Sequence, residues 1–160
     1  MMKKFITKEQ QKTFMYKLGI LIPTVDSRAY QLGELLNEIN LQCDYNGLFD
    51  KVHIYLCNQD KRTGWKRNWL LRECNAEYCW FVDDDDMIMK DALKEILESL
   101  KENPDALAIN GIMTTDGVNE RKWFIAKDNP YIADYSTGEE IYLRYTNHIT
   151  PMRTSIAAQI

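Results

Sequence analysis

Apolar and polar residues alternate in blocks along this chain, and the period of the pattern changes from block to block. Three short apolar runs have the length of buried strands: 18–22, 52–57 and 78–82. Between and after them, apolar residues recur at the spacing of an amphipathic helix, over 28–40, 63–75 and 91–101. A fourth apolar run, at 105–114, predicts a further strand. Strands that alternate with helices in this way predict an α/β fold with a doubly wound, mostly parallel sheet.

The two ends of the chain fall outside this alternation. Residues 1–17 form a polar lead, and the chain is less regular from residue 118 onward, although 123–125 is expected to form a short strand. The 160 residues suffice for one domain with a buried core. We therefore predict a short N-terminal lead followed by a single domain over residues 18–160.

The residues that follow the first three predicted strands are candidates for a binding site. In an open α/β sheet, ligands bind in the crevice beyond the carboxyl ends of the parallel strands. Pro23, Asn58 and Asp83 occupy these positions, so we expect them to lie along one edge of the sheet.

Four consecutive aspartates, Asp83 to Asp86, follow the third apolar run. Like charges about 4 Å apart repel by ~1 kcal/mol in water, and by more where water is partly excluded, so the cluster requires a positive partner. In extended backbone, Asp83 and Asp85 would point to one side and Asp84 and Asp86 to the other. Such a pair suits Mg²⁺ or Mn²⁺, which bind one or two carboxylates together with substrate phosphates. The alternative interpretation is a solvated acidic loop, or a helix N-terminus capped by Asp86.

Composition narrows the classes of function. The net charge is −4 and the pI is about 5.2. This argues against binding to nucleic acid, because proteins that bind nucleic acid usually have a basic face. The four cysteines show no CxxC spacing, which indicates reduced, partly buried thiols of a cytosolic protein. Residues 5–17 are too polar for a signal peptide or a membrane span. We expect a cytoplasmic protein, or one held at the inner face of a membrane by another component.

Basic and polar residues beside the predicted strand ends are candidate binding residues. Thr24 and Arg28 follow the first strand, and Arg67 and Asn68 lie near a helix N-terminus, where anions bind readily. A guanidinium forms paired hydrogen bonds with phosphate, and an amide can contact a base edge. The alternative for each arginine is an ordinary surface role. His148, near the end of the chain, is a further candidate, and its alternative role is a structural hydrogen bond.

Four segments, in this order, resemble family 2 glycosyltransferases with the GT-A fold. Residues 18–28 resemble the first strand and loop of that family, and 64–68 (Gly-Trp-Lys-Arg-Asn) resemble its Gly-x-x-Arg-Asn helix start. Residues 78–86 resemble its strand leading into an Asp-x-Asp motif. Residues 147–153 resemble a downstream segment whose histidine, in many relatives, also reaches the metal. The resemblance spans about residues 18 to 155.

The resemblance implies a Rossmann-like domain that binds a nucleotide-sugar and transfers its sugar with inversion. The implied donor is a UDP-sugar, and the implied acceptor is a hydroxyl of a glycan, a lipid-linked glycan or a protein. It also implies Mn²⁺ or Mg²⁺, because a Lewis acid stabilises the negative charge that develops on the leaving diphosphate. The implied metal ligands are Asp83, Asp85 and His148. The implied nucleotide-sugar site comprises Pro23, Thr24, Arg28, Asn58, Arg67, Asn68, Asp83 and Asp84. The residues implied in catalysis are Asp85, Asp86 and Glu139.

The chain departs from the family pattern at two places. The second strand of relatives ends in an aspartate that contacts the base, whereas this chain has Asn58. Relatives also carry an acidic motif beyond the His-Pro segment that supplies the general base. The carboxylates nearest to that segment here, Asp134, Glu139 and Glu140, precede it, and the chain ends soon after it. We expect a C-terminally truncated domain in which Glu139 is the candidate base.

Two other functions are compatible with these residues. A non-catalytic domain that binds a nucleotide-sugar or a divalent cation would also lack the base motif. A nucleotidyltransferase on a similar sheet would also use carboxylates that bind metal. That class usually carries a glycine-rich loop with Arg and Lys after the first strand, and Pro23-Thr24-Val25-Asp26 does not match it.

Overall fold

The computed structural model describes residues 14–115, 117–128, 132–134 and 140–159. In chain order, the strands are β1 (Tyr16–Pro23), β2 (Val52–Cys57), β3 (Ala76–Phe81), β4 (Asn110–Thr115), β5 (Val118–Ile125), β6 (Ile132–Asp134), β7 (Ile141–Arg144) and β8 (Met152–Arg153). The helices are α1 (Ala29–Asn46), α2 (Thr63–Glu73), α3 (Ala92–Ser99) and α4 (Thr154–Ala157), with 3-10 turns at Asp26–Arg28 and Leu100–Glu102. None of the helices described is both long enough and apolar enough to cross a membrane.

The main sheet has the strand order β2-β1-β3-β8, and β1 runs parallel to both β2 and β3. In the register of these strands, Pro23 pairs with Cys57, and Leu21 pairs with Phe81. The three parallel strands therefore end at one edge, as the sequence predicted. We call this the carboxyl edge of the main sheet.

Helices cover both faces of the main sheet. On one face, α1 and α3 pack through a shared apolar cluster that includes Leu35, Ile39, Leu93, Ile96 and Leu97. On the other face, Leu70 of α2 packs in a second cluster with Leu21, Cys57, Cys74 and Cys79. All four cysteines of the chain are buried free thiols. The predicted doubly wound α/β fold is confirmed, because parallel strands lie between two helical layers.

The first three strands and helices form where the pattern predicts them, with shifted ends. β1 begins slightly earlier than expected, at Tyr16. α1 runs on to Asn46 because Cys43 continues its buried face, and Gly47 ends it with a left-handed φ of 62°. A side chain at this last position would be strained, so glycine is the natural stop.

The fourth strand predicted at 105–114 is only partly correct, because residues 110–114 form a strand, as part of β4, and residues 105–109 do not. Ala106 forms only an isolated antiparallel bridge with Met152, and β4 belongs to a second sheet. The place beside β3 is taken by β8, which runs antiparallel to it. Arg153 of β8 supports this pairing through an ion pair with Glu77 on β3, at 3.3 Å. Because these partners lie far apart in sequence, the local apolar pattern does not reveal them.

The second sheet has the strand order β4-β5-β7-β6. β4 and β5 form an antiparallel hairpin, and β7 runs parallel to β5 and antiparallel to β6. The short strand predicted at 123–125 is the end of β5. Most side chains of β4 and β5 are at least partly exposed, so these strands carry little apolar alternation for sequence reasoning to detect.

Candidate functional site

The aspartate cluster forms a reverse turn directly after β3. The Asp86 amide donates to the Asp83 carbonyl oxygen at 3.1 Å, and the Val82 amide donates to the Leu21 carbonyl oxygen at 3.2 Å. These bonds fix the cluster, which we call the acidic turn (residues 83–86), at the carboxyl edge. The predicted alternation of the four side chains is wrong, because the backbone turns here instead of continuing as a strand.

Arg28 contacts two consecutive carboxylates of the acidic turn. Its Nη1 lies 2.8 Å from Asp84 Oδ1 and 3.2 Å from Asp85 Oδ2. The hydrogen bond with Asp84, followed by the charge of Asp85, raises the pKa of Arg28. Arg28 ends the 3-10 turn that leads from β1 into α1, so the loop after the first strand supplies this cation. Its side chain is 46% exposed, which leaves it open to a ligand.

Asp84 is a buried carboxylate with one unsatisfied oxygen. The residue is 2% exposed, and its Oδ2 has no hydrogen-bond partner in the described part of the chain. Burial alone would raise the pKa of Asp84, but interactions with Arg28, the Thr24 hydroxyl and the Val25 backbone outweigh burial and lower it. A charged, buried oxygen without a partner is costly. Arg28 is therefore the main counter-charge that keeps Asp84 ionised.

Asp83 faces a second arginine and a histidine. Arg67 Nη2, from α2, lies 2.9 Å from Asp83 Oδ1, and His148 Nε2 lies 3.6 Å from Asp83 Oδ2. Nε of Arg67 is buried and also lacks a hydrogen-bond partner within the residues described. The structure thus brings three of the predicted site residues together from three separate parts of the chain.

A tight turn attached to β3 places His148 at the acidic turn. The Asn147 side-chain oxygen accepts a hydrogen bond from the Ile149 amide at 3.1 Å, and Trp80 Nε1 donates to the Ile149 carbonyl oxygen at 2.8 Å. Burial, followed by the charge of Arg67, lowers the pKa of His148. The imidazole is therefore neutral near pH 7, which is the form that ligates metals.

Asp86 lies at the exposed end of the acidic turn. The pKa of Asp86 is nevertheless raised to about 6. The main cause is partial loss of hydration around its carboxyl, followed by the charges of Asp83, Asp85 and Asp84. Like charges that share one turn are expected to disfavour ionisation of one of their number in this way.

Lys66, which the sequence pattern did not single out, supports the loop after β1. It lies on the buried face of α2 together with Leu70, and it is 3% exposed. Its Nζ donates to the Thr24 carbonyl oxygen at 2.5 Å. Only the spacing from Leu70 identifies it as buried from sequence, and lysine is rare at such positions. The contact ties α2 to the loop that carries Arg28.

The remaining predicted site residues are less closely connected to the acidic turn. Pro23 ends β1, and Asn58 Nδ2 lies 3.5 Å from Asp26 Oδ1 at the carboxyl edge. Asn68 is exposed and forms no hydrogen bond with the acidic turn within the residues described. Glu139, the candidate base, lies outside the described residues.

Two cavities in the described part of the protein lie away from the acidic turn. They have volumes of about 340 Å³ and about 250 Å³, the first lined partly by Ala106, Ile125 and Thr150 and the second partly by Phe49 and His53. No residue of the acidic turn lines either of them.

Comparison with known proteins identifies the family. The model described as Glycosyl transferase family 2 matches residues 34–159 of the chain. The chain belongs to glycosyl transferase family 2. The resemblance to this family is thereby confirmed, and the match covers three of the four sequence segments, since residues 18–28 precede it. A comparison with curated proteins found no match.

Solved structures show that this family 2 domain has the GT-A fold. S. aureus TarS 1–349 in complex with UDP-GlcNAc has a TM-score of 0.55 and 18% sequence identity, covering 89% of this chain and 47% of that one. The same fragment in complex with UDP has a TM-score of 0.55 and 19% identity, covering 89% and 48%. At these identities the likeness shows the fold alone. The chain spans about half the length of the TarS fragments that it matches.

The donor atoms of this family 2 site fit a hard divalent cation. Within the residues described, no group of three or more His, Cys, Asp or Glu side chains is already arranged to hold a metal. Mg²⁺ bound with nucleotides, however, commonly takes one or two carboxylates and completes its shell with phosphate and water. The exposed carboxylate of Asp85, and the pair of Asp83 with neutral His148, offer such a set. Their role as ligands stays a prediction.

Proposed function

We propose that this domain is a metal-dependent glycosyltransferase that moves a sugar, with inversion, from a UDP-sugar to a hydroxyl acceptor. The observation that carries the proposal is the acidic turn at the carboxyl edge, where Arg28 and Arg67 stand beside consecutive carboxylates. Membership of family 2 supports the same function. The TarS fragments of similar fold hold UDP-GlcNAc and UDP, so uridine nucleotides are the first ligands to test.

In the proposed donor complex, Arg28 and Arg67 would pair with the diphosphate, because guanidinium groups form charge-assisted, paired hydrogen bonds with phosphate oxygens. Thr24 and Asn58 would contact the nucleoside from the ends of β1 and β2. Lys66 would keep the Thr24 carbonyl in place through the hydrogen bond that ties the loop to α2.

We assign the cation, Mn²⁺ or Mg²⁺, to Asp83, Asp85 and His148. When bound, it would stabilise the negative charge that develops on the leaving nucleoside diphosphate. Asp84 would remain buried, where it orients Arg28 through the hydrogen bond at 2.8 Å.

The acceptor would be a hydroxyl of a glycan, a lipid-linked glycan or a protein. Its oxygen attacks the anomeric carbon opposite the diphosphate, so the new C–O bond forms as the bond to the diphosphate breaks, which inverts the configuration. A carboxylate base takes the hydroxyl proton, and Glu139 is the candidate for this role within the chain.

Thermal unfolding with Mn²⁺ and a panel of nucleoside diphosphates and nucleotide-sugars tests the proposal. A ligand that binds only the folded state raises the Tm by mass action. We expect UDP and a UDP-sugar to raise the Tm only when Mn²⁺ or Mg²⁺ is present. Release of UDP from the sugar donor then separates a transferase from a domain that only binds. If no member of the panel gives a metal-dependent shift, the proposed function is wrong.

Lys66→Met is expected to weaken UDP binding about five- to tenfold, with a loss of stability of about 1–2 kcal/mol. Met fills a similar volume, but a buried carbonyl left without a donor costs free energy, so the unfolding free energy should fall by about 1–2 kcal/mol. The Thr24 carbonyl loses its donor, and the loop that carries Arg28 becomes less ordered. Calorimetric titration of UDP with Mn²⁺ present, together with urea unfolding, measures both effects.

The matched control is Lys61→Met, which removes an exposed lysine just before α2. It should leave UDP binding unchanged. Equal UDP affinity in the two variants would show that Lys66 does not support the site.

A further inference from the structure

Arg28 contacts one carboxylate oxygen of Asp85, a proposed metal ligand. Its guanidinium lies 3.2 Å from Asp85 Oδ2 while it also contacts Asp84 at 2.8 Å. A divalent cation on Asp85 would stand close to this guanidinium, and like charges at such distances repel. Binding of the cation alone therefore competes with the contact between Arg28 and Asp85.

The buried oxygen of Asp84 gives a second indication that the free state is incomplete. Asp84 is almost fully buried, yet its Oδ2 has no partner within the residues described. Arg28 thus satisfies one oxygen of Asp84, and the other stays buried without a hydrogen-bond partner among the described residues. In the part of the free protein that the structure describes, a single cation, Arg28, balances the two carboxylates of Asp84 and Asp85, so a further positive charge is favourable there.

Of the two arginines at the site, Arg28 is the one that can move. Its side chain is 46% exposed, and it ends a three-residue 3-10 turn. Arg67, by contrast, is 26% exposed and projects from the middle of α2, with its Nε buried. A diphosphate at the carboxyl edge would offer Arg28 a new partner of the kind that guanidinium groups favour.

We propose that Arg28 is a positioning residue that couples metal and nucleotide binding: it neutralises Asp84 and Asp85 in the free protein, and it exchanges Asp85 for the diphosphate, while keeping Asp84, when Asp85 takes the metal. This rests on the proposed function. The metal alone then binds weakly because Arg28 competes with it, and the nucleotide removes that competition. By linkage, each ligand increases the affinity for the other by the same factor.

Manganese binding to the protein without nucleotide gives the direct test. We expect Arg28→Gln to bind Mn²⁺ alone about tenfold more tightly than the parent, measured by electron paramagnetic resonance of free Mn²⁺. With Mn²⁺ saturating, the same variant should bind UDP about tenfold more weakly in calorimetry. Opposite signs are the signature of the proposal, because an arginine that merely supports the fold would weaken both ligands when removed.

Lys17→Gln is the matched control, since it removes an ion-paired cation near the start of β1, at the other end of the strand. It should change neither affinity. Arg28→Lys is the second variant. It keeps the positive charge but loses the planar pair of N–H donors, so its Mn²⁺ affinity should lie between those of the parent and Arg28→Gln. Mn²⁺ affinity that is unchanged or weaker in both Arg28 variants would overturn the proposal.

The two proposals fail in distinguishable ways. If the parent chain binds no uridine nucleotide, the proposed function is wrong, while the comparison of Mn²⁺ affinities still decides whether Arg28 competes with a cation. If the parent binds UDP with Mn²⁺ and Arg28→Gln weakens Mn²⁺ binding, the function stands and the coupling role is wrong.

Discussion

Asp85→Asn is expected to lose metal-dependent binding of UDP while retaining the fold. The substitution removes the negative charge at the exposed carboxylate assigned to the metal, so Mn²⁺ affinity in the presence of UDP should fall about a hundredfold or more. The side chain is 46% exposed and its ion pair with Arg28 lies at the surface. The unfolding free energy without ligand should therefore change by less than about 1 kcal/mol. Calorimetry with Mn²⁺ and UDP, together with the Tm of the free protein, measures the two effects.

Asp50→Asn is the matched control for this prediction. Asp50 is an exposed aspartate in the loop before β2, at the end of the strand away from the acidic turn. It should bind Mn²⁺ and UDP like the parent. If Asp85→Asn also binds both ligands like the parent, Asp85 is not a metal ligand, and the assignment of the acidic turn to the metal fails.

Gly19→Ala is expected to destabilise the domain by about 2–3 kcal/mol, because small-to-large changes in a packed core force neighbours apart. A Cβ at this position in the central strand β1 would lie 2.8 Å from Cys74 Sγ, 3.1 Å from the Tyr55 ring and 3.2 Å from the Ala76 Cβ. All three neighbours belong to the apolar cluster on the α2 face of the main sheet, where β2 and β3 flank β1 on either side. Urea unfolding followed by circular dichroism gives the change in free energy.

Gly33→Ala provides the control with the same chemical change. Gly33 lies in α1, and a Cβ there would have no atom within 4 Å. Alanine in a helix interior is better than glycine by about 0.5–1 kcal/mol, so this variant should be slightly more stable than the parent. A Gly19→Ala protein that unfolds at the same urea concentration as the parent would contradict the close packing at the centre of the sheet.

The sequence predicted the carboxyl edge and the residues that meet there. Short apolar runs ended by Pro23, Asn58 and Asp83 form β1, β2 and β3 in parallel register, so their ends align. This succeeded because the signal is local: a buried strand is a run of apolar residues, and a helix that crosses over it repeats at a different period. The sequence also predicted Arg28 and Arg67 as site residues, because Arg28 lies in the turn after β1 and Arg67 lies in α2, which follows β2.

The conformation of the acidic turn was not predictable from its composition. Four identical residues carry no periodicity, so nothing distinguished an extended segment from a reverse turn. The bond from the Asp86 amide to the Asp83 carbonyl closes the turn. As a result Asp84 and Asp85, which extended backbone would separate, share Arg28. The positive partners that the charge cluster required are therefore supplied in part by arginines from two other elements.

By itself, the sequence determined the three strand–helix units, the order in which they follow one another and the place of the carboxylates at the end of β3. Only the tertiary structure decided which cation meets which carboxylate, that β8 completes the main sheet and that His148 returns to Asp83. The physical reason is the separation of the partners. Arg28 and Asp84 are 56 positions apart, and Trp80 and the Ile149 carbonyl that it binds are 69 apart. Such pairs are specified by packing of the whole domain, whereas a strand or a helix is specified by its own few residues.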